Sequence, residues 1–210
     1  MTSPDAGHDS DLAELLGPPP DAGHLARLAA TLAARADEEG LLDVAYRTLD
    51  TPVGTLLLAA TPVGLVRVAY EGEGLDAVLD RLAGRISPRI LHAPARLDAT
   101  ARQLDEYFGR RRTRFDLPVD LRLSAGFRHT ILEYLPAIHY GQTASYTTVA
   151  AAVHNPKAVR AVGSACATNP LPVVIPCHRV VRADGRLGEY VGGPDIKRQL
   201  LEFESLNAQG

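Results

Sequence analysis

The chain has 210 residues, 46% of them hydrophobic and 22% charged, with a net charge of −3, which is an ordinary balance for a folded protein in water. No apolar run is long enough to span a membrane and no secretory pattern opens the sequence, so we expect a cytoplasmic protein that does not contact membranes. The overall charge also argues against a chain that binds nucleic acid with its whole surface.

Residues 1–42 are predicted to be a helical extension that carries no catalytic pattern. Ser10 can cap a short helix that ends before three consecutive prolines. Asp21 can cap a second helix, which would run to about Gly40 and carry three leucines on one stripe, Leu25, Leu28 and Leu32.

Residues 43–120 are predicted to be an α+β domain. Three strand-like runs, DVAYRTL, GTLLLAAT and GLVRVAYE, are separated by turn sequences that contain Pro and Gly. Two stretches with helical periodicity, LDAVLDRLAG and LDATARQLDEYFG, follow the strands. Strands followed by segregated helices indicate an antiparallel β-meander packed against helices.

Residues 121–210 are predicted to be mostly helical, which makes the whole chain α+β. After the helical stretch GFRHTILEYL come two short helices, one capped by Ser145 and one that begins at Pro156 and stops at Asn169. Two short helices joined by a tight turn are typical of a helix-turn-helix. A glycine-rich loop then leads into a last helix with Pro194 near its first turn.

Charge is distributed unevenly along the chain. Residues 1–120 contain 13 Lys and Arg against 19 Asp and Glu, whereas residues 121–183 contain six basic residues and a single acid, Glu133. A modest basic face of this kind is compatible with contact to phosphate groups, and a solvated surface fits it as well.

The stretch VVIPCHRVV, residues 173–181, places a thiol beside an imidazole. Its Val/Ile run predicts a buried strand, which should end or bulge at Pro176 because proline cannot donate a ladder hydrogen bond. Cys177 and His178 would then lie at the end of a strand, where reacting groups are often found, although a free cysteine is also an ordinary core residue. The two cysteines, Cys166 and Cys177, lack further ligands at metal spacing, so we expect reduced thiols and no metal.

From about Asp43 to Glu204 the sequence resembles the O6-alkylguanine-DNA alkyltransferase family. The motifs RAVG, NPLP, PCHRV and YVGG, the last followed by a lysine and LLEFE, carry the resemblance. Members of this family bind duplex DNA, flip an alkylated guanine into a pocket and transfer the alkyl group irreversibly to their own cysteine. The resemblance implies the same single-turnover repair of O6-alkylguanine and O4-alkylthymine by a monomer without cofactor, and it leaves cooperative binding along DNA open. Some family members hold zinc through Cys and His ligands in the N-terminal domain, but residues 1–120 contain no Cys, so we expect no metal.

The resemblance also implies roles for individual residues. Cys177 would be the alkyl acceptor, His178 its general base and Glu204 the group that orients His178. Since neighbouring side chains on an extended chain point in opposite directions, His178 is expected to act through a water molecule or from a local bend. Asn169 would brace the turn at the active site.

Further positions are implied for the nucleotide. Tyr146 would help to rotate it and, with Lys197, would neutralise the leaving guanine, whereas Arg160 would fill the space that the flipped base leaves. Contacts to DNA are implied for Tyr146, Lys157, Arg160 and Arg179. The wall of the substrate pocket is implied for Pro172, Val180, Tyr190, Val191 and Gly192.

Some features stay open at this point. Val191 stands where many family members carry Ser, so a backbone N–H would have to donate to the guanine oxygen. A non-catalytic protein that recognises alkylated DNA and recruits other repair factors is the alternative function, and the presence of Cys177 argues against it. A helix-turn-helix regulator with a structural cysteine is a second alternative. The sequence does not determine the range of alkyl groups, the preference between guanine and thymine lesions, or the roles of Cys166 and residues 1–42.

Overall fold

The computed structural model describes residues 21–205. Seven helices and six strands follow one another in this part of the chain: α1 (Ala22–Glu38), β1 (Val44–Thr51), β2 (Gly54–Ala60), β3 (Leu65–Tyr70), α2 (Leu75–Arg85), β4 (Ile90–His92), α3 (Asp98–Phe108), α4 (Phe127–Tyr134), β5 (Ala144–Ser145), α5 (Tyr146–Ala152), α6 (Val159–Ala167), β6 (Val180–Val181) and α7 (Gly193–Ser205). Single 3₁₀ turns lie at Glu71–Glu73, Pro94–Leu97, Leu135–Ala137 and Cys177–Arg179. No helix within residues 21–205 combines the length and the apolar character needed to cross a bilayer.

The predicted α+β class is confirmed, with one addition to the sheet. The three predicted strands form an antiparallel meander, and a fourth strand, β4, pairs in parallel with β1 to give the order β3-β2-β1-β4. The sheet is covered on both faces, since Leu56 and Leu58 of β2 join the core shared with the C-terminal helices, whereas Leu57 and Ala59 pack with α2. This alternation is the period of two expected for a strand.

The predicted second helix of the extension is confirmed as α1, and the helix expected after Ser10 lies outside the described residues. The Asp21 side chain caps α1 by accepting a hydrogen bond from the backbone N–H of His24 at 2.6 Å. The face that packs on the protein carries Ala33 and Ala36. The leucine stripe does not pack on the protein: its three side chains, Leu25, Leu28 and Leu32, are 52%, 54% and 59% exposed.

The buried strand expected in residues 173–181 is not formed. The N–H of Ile175 donates to the carbonyl of Leu171 at 2.8 Å, and Val173 adopts a φ of 71°, so the chain turns there instead of extending. Cys177 opens a 3₁₀ turn, and only Val180–Val181 is strand, paired in parallel with β5. A side chain outside the stretch drives this difference, since Asn169 bonds the backbone of both Leu171 and Ile175.

The expected pair of short helices is present as α5 and α6. The Ser145 side chain caps α5 by accepting from the N–H of Thr148 at 3.0 Å. The second helix begins later than predicted, because the segment from Asn155 to Ala158 closes a turn before α6 starts at Val159. Lys157 therefore lies on this turn and not on the helix.

One buried carboxylate near the end of α7 joins distant segments of the chain. Glu204, 1% exposed, accepts hydrogen bonds from the Tyr107 hydroxyl at 2.7 Å, the Gly141 N–H at 3.2 Å and His178 Nε2 at 3.0 Å. The guanidinium of Arg179 donates two more at 2.9 Å. Burial alone would raise the pKa of this carboxyl, but the bonds from His178 and Arg179 outweigh burial and lower the pKa to about 2.

Replacing Gly64 in the β2–β3 turn should destabilise the fold. Gly64 has a φ of 157°, and an added Cβ would lie 2.3 Å from the carbonyl oxygen of Pro118, which accepts from the N–H of Leu65. We expect Gly64→Ala to lower the free energy of unfolding by about 2 kcal/mol in urea titrations. Gly72→Ala is the control, since an added Cβ there meets no atom within 4 Å. An equal loss in both variants would contradict this.

The Glu204 network should make stability depend on acid pH. Because folding lowers the pKa of Glu204 from 4.5 to about 2, its contribution is complete above about pH 4.5 and is lost as the pH falls towards 2. At about 1.4 kcal/mol per pKa unit, the loss approaches about 3 kcal/mol. Urea titrations from pH 6 to pH 3 should show about 2 kcal/mol of this loss in the wild type and a flatter profile in Glu204→Gln. The exposed neighbour Glu202, changed to Gln, should leave the steep profile intact, and a steep profile in Glu204→Gln would refute the assignment.

Candidate active site

Cys177 lies in the 3₁₀ turn before β6 with its thiol fully buried. The side-chain amide of Asn169 donates to Sγ of Cys177 at 3.0 Å and to the carbonyl of Ile175 at 2.9 Å. The amide oxygen of Asn169 accepts from the N–H of Leu171 at 2.9 Å. Asn169 therefore holds the thiol and, at the same time, the backbone that leads to it.

The surroundings of Cys177 keep its sulfur protonated. Burial raises the pKa of the Cys177 thiol to about 11, and the bond from Asn169 and the charge of Lys197 offset only part of that effect. The second thiol, Cys166 on α6, is also buried, and burial together with the neighbouring Cys177 raises its pKa. At neutral pH both side chains are thiols, so a nucleophile at Cys177 needs a base.

His178 follows in the same turn and has one free ring nitrogen. Its Nε2 lies 3.0 Å from Oε1 of Glu204, and a carboxylate at this distance requires the tautomer with the proton on Nε2. Nδ1 has no hydrogen-bond partner among residues 21–205. Burial lowers the pKa of His178 despite the opposing effect of Glu204, so the ring is neutral and Nδ1 offers a basic lone pair.

Tyr146 and Lys197 lie close enough to both thiols to interact with them electrostatically. Burial raises the pKa of Tyr146 to about 12, and the neighbouring Cys166 and Cys177 add to that effect. The ammonium of Lys197 is 5.9 Å from the centre of the Tyr146 ring and donates to the carbonyl of Val180 at 2.6 Å. Burial lowers the pKa of Lys197. These contacts place a hydroxyl and an ammonium together beside the sulfur.

The residues expected to form the pocket wall separate into two groups. Tyr190 is buried and stands edge-on to the His178 ring with centroids 6.3 Å apart, and Pro172 and Val180 are buried as well. Val191 instead lines a different cleft of about 240 Å³, together with Asn169 and residues of the N-terminal sheet and α2. The structure therefore does not place Val191 in the cavity beside Tyr146.

A cavity of about 220 Å³ opens beside Tyr146. It is lined by that ring, by Arg160, which is exposed on α6, and by Arg182, Gly188 and Glu189. A Cβ at Gly188 would lie 2.4 Å from the Tyr146 hydroxyl. Sequence reasoning missed Gly188 and Arg182, and only the surplus of glycine in the RLGEYVGG loop hinted at the first of them.

The expectation that Arg179 contacts DNA is contradicted by its position. Its guanidinium is 5% exposed, donates twice to Glu204 and once to the carbonyl of Ile138 at 2.7 Å, and lies 5.8 Å from the centre of the Tyr140 ring. Those bonds leave Arg179 inside the protein, where it neutralises a carboxylate. Lys157, by contrast, is exposed on the turn before α6.

Together these groups suit transfer of an electrophile to sulfur. A thiol, a neutral imidazole with a free lone pair and a carboxylate that orients the imidazole form the nucleophile, base and orienter arrangement. Within residues 21–205, no group of three or more His, Cys, Asp or Glu side chains is placed to hold a metal ion.

Two family models match the chain. One is described as "6-O-methylguanine DNA methyltransferase, ribonuclease-like domain" and matches residues 44–121. The other is described as "6-O-methylguanine DNA methyltransferase, DNA binding domain" and matches residues 126–206. The two matches together cover most of the chain.

Curated proteins and solved structures agree with these models. The methylated-DNA–protein-cysteine methyltransferases of Mycobacterium bovis and Homo sapiens are 36% and 35% identical over 168 and 163 residues, which are 78% and 75% of this chain and 93% and 78% of those proteins. The bifunctional transcriptional activator/DNA repair enzyme Ada of Escherichia coli is 38% identical over 80% of this chain, which spans only 47% of that relative. The structure of Mycobacterium tuberculosis OGT in complex with DNA, 35% identical, superposes with a TM-score of 0.69 over 78% of this chain and 94% of that one. The chain therefore belongs to the 6-O-methylguanine DNA methyltransferase family, and the resemblance expected from its motifs is confirmed.

Proposed function

We infer that the protein repairs alkylated DNA by moving an alkyl group from O6 of guanine irreversibly to its own Cys177. The observation that carries this inference is the buried thiol held by Asn169 beside an imidazole whose Nδ1 is free and whose Nε2 is fixed by Glu204. The cavity lined by Tyr146 and Arg160 gives a base that has left the helix stack a place to enter.

The proposed reaction begins with deprotonation of Cys177. Its proton passes through a bridging water molecule to Nδ1 of His178, and Glu204 stabilises the imidazolium that forms. The thiolate attacks the alkyl carbon, so that a C–S bond forms while the C–O6 bond breaks and its electron pair stays on the guanine. The leaving guanine takes a proton from the Tyr146 hydroxyl, and Lys197 stabilises the phenolate until solvent protonates it again, while the imidazolium of His178 releases the thiol proton to solvent. The net reaction exchanges the thiol proton for the alkyl group.

The thioether that results is stable, which explains why each chain would act once. A sulfur that carries an alkyl group has lost its acidic proton, and nothing in the reaction supplies a nucleophile to remove that group. We also propose O4-alkylthymine as a second substrate and a monomer, without metal, as the active form.

The helix pair α5 and α6 is proposed to hold the DNA. Arg160 on α6 would enter the stack where the base was, and exposed Lys157 would contact a phosphate from the preceding turn. Arg182 lines the same cavity as Arg160 and replaces Arg179 as the further basic residue near the nucleotide.

Cys177 should be the only acceptor, and its replacement should separate binding from transfer. Mixed with duplex DNA that carries O6-methylguanine, the wild type should gain one methyl group per chain in intact-protein mass spectrometry. Cys177→Ser should bind the duplex and gain none, because a serine hydroxyl is far less acidic than a thiol. Cys166→Ser is the matched control and should react like the wild type. A methyl group mapped to Cys166 would overturn the assignment of Cys177 as the acceptor. Binding without any transfer by the wild type would favour the non-catalytic alternative.

Arg160→Ala should damage repair in duplex DNA more than reaction with the free base. Flipping a base costs a few kcal/mol of unstacking and unpairing, and a guanidinium in the vacated stack offsets about 1–3 kcal/mol of it. The single-turnover rate on an O6-alkylguanine duplex should therefore fall about 5- to 150-fold, whereas the rate on free O6-benzylguanine should stay near that of the wild type. Arg198→Ala on the exposed face of α7 is the control. Equal losses on both substrates would mean that Arg160 supports the fold or the thiol.

A further inference from the structure

The corner formed by the end of β3 and the 3₁₀ turn after it contacts both sides of the candidate active site. We call Arg67, Val68, Tyr70 and Glu73 the β3 corner. Every residue to which the family resemblance assigns a role lies after residue 121, so the β3 corner has no assigned part in the reaction.

The first set of contacts holds the segment that carries Asn169. The N–H of Val68 donates to the carbonyl of Pro170 at 2.8 Å, and the guanidinium of Arg67 donates to the same carbonyl at 3.3 Å. Arg67 also reaches the carbonyl of Asn169 at 3.5 Å. Because the side chain of Asn169 bonds Sγ of Cys177, the N-terminal sheet fixes the backbone of the residue that touches the nucleophile.

Arg67 is itself fixed within the corner. It forms a salt bridge with Glu73, and both side chains are largely buried. The other carboxylate oxygen of Glu73 accepts from the backbone N–H of Tyr70 at 3.0 Å. This pair therefore holds the backbone of Tyr70 at the end of β3.

The second set of contacts holds the Tyr190–Gly192 loop, which follows the Cys177–Arg179 turn and β6. The hydroxyls of Tyr70 and Tyr190 are 2.9 Å apart, and their rings meet edge-on with centroids 6.1 Å apart. A Cβ at Gly192 would lie 2.7 Å from the Tyr70 ring, so the loop rests directly on that ring. Both tyrosines are buried, at 4% and 7% exposure, and burial raises the pKa of each, so both hydroxyls keep their protons.

Both rings also lie close to the reacting sulfur. A charge on Cys177 is one of the causes that raise the pKa of Tyr70 and of Tyr190, and Tyr190 stands against the ring of His178. The Tyr190–Gly192 segment is therefore a wall that presents Tyr190 to the thiol, while Val191 lines the other cleft, and the Tyr70 ring packs against Gly192 behind this wall.

We propose that Tyr70 is a positioning residue that fixes the Tyr190–Gly192 wall and thereby limits the size of the alkyl group that Cys177 accepts. This proposal rests on the function inferred above. A methyl group fits beside a fixed wall, whereas a bulky group such as benzyl requires the wall to move. Movement would leave the Tyr190 hydroxyl buried without its partner, and a buried unpaired hydroxyl is unfavourable.

Removing one hydroxyl tests the proposal. Tyr70→Phe keeps the ring under Gly192 and deletes only the bond to Tyr190. Single-turnover rates would be measured on two duplexes that differ only in carrying O6-methylguanine or O6-benzylguanine. We expect the benzyl-to-methyl rate ratio to rise at least threefold, with the methyl rate itself falling less than threefold. Tyr46→Phe is the matched control, since Tyr46 lies on the same sheet and packs edge-on against His92, and it should leave the ratio unchanged.

A second variant keeps the proposal testable if Tyr70→Phe does not fold. Tyr190→Phe deletes the other hydroxyl and should raise the ratio in the same direction, and the double variant should match the single variants instead of multiplying their effects. A loss of stability without a positioning role would lower both rates equally, and an unchanged ratio in folded Tyr70→Phe or Tyr190→Phe would overturn the proposal. Failure of the wild type to transfer either group would instead overturn the inferred function, so the two failures are distinct.

Discussion

The buried carboxylate of Glu204 is the constraint on which the rest of the C-terminal half depends. It accepts from α3 through Tyr107, from the Gly141 backbone, and from His178 and Arg179 in the Cys177–Arg179 turn. Removing this one acceptor would leave the His178 imidazole and the Tyr107 phenol without it, and the buried Arg179 guanidinium with only the carbonyl of Ile138 as acceptor. Buried polar groups that lose a partner are costly. The network stabilises the native state and also determines which nitrogen of His178 is basic. Stability and chemistry therefore share the same atoms.

The thiol is controlled by its surroundings in a related way. Full burial raises the pKa of Cys177, so the sulfur stays protonated, and therefore a poor nucleophile, until a base acts on it. Asn169 and Lys197 act in the opposite direction, since a hydrogen bond and a nearby cation both favour the thiolate. The residues around Cys177 thus keep the resting thiol unreactive, while Asn169 and Lys197 limit how far its pKa is raised, so that a base can still deprotonate it. A thiol of this kind is suited to a protein that can use its sulfur only once.

Local sequence signals predicted much of the fold and less of the site. Helix caps such as Asp21 and Ser145 located the starts of helices, and hydrophobic patterns that repeat every two or 3.6 residues located the strands and helices. These signals act over a few neighbouring residues, so the sequence alone reveals them. The strand expected before Pro176 was wrong because the side chain of Asn169, a few residues earlier, bonds the backbone of Leu171 and Ile175 and turns the chain. The resemblance implied a contact with DNA for Arg179, but this side chain is buried against Glu204, 25 residues later, and no local pattern predicts that pairing. The contact of Tyr70 with Tyr190 spans 120 residues, and no local pattern in the sequence predicts it.

The two-residue strands β5 and β6 have a consequence that goes beyond their size. Their register pairs Ala144 with Val180 and Ser145 with Val181. Backbone hydrogen bonds therefore join the residue before Tyr146 to the segment just after the Cys177–Arg179 turn. Lys197 ties Val180 from the opposite side. The start of the helix pair and the sulfur therefore cannot shift independently, and the distance between Tyr146 and Cys177 is fixed. A nucleotide bound by those helices would then lie at one fixed distance from Cys177. Lesions would be distinguished by the distance between their alkylated atom and the DNA backbone.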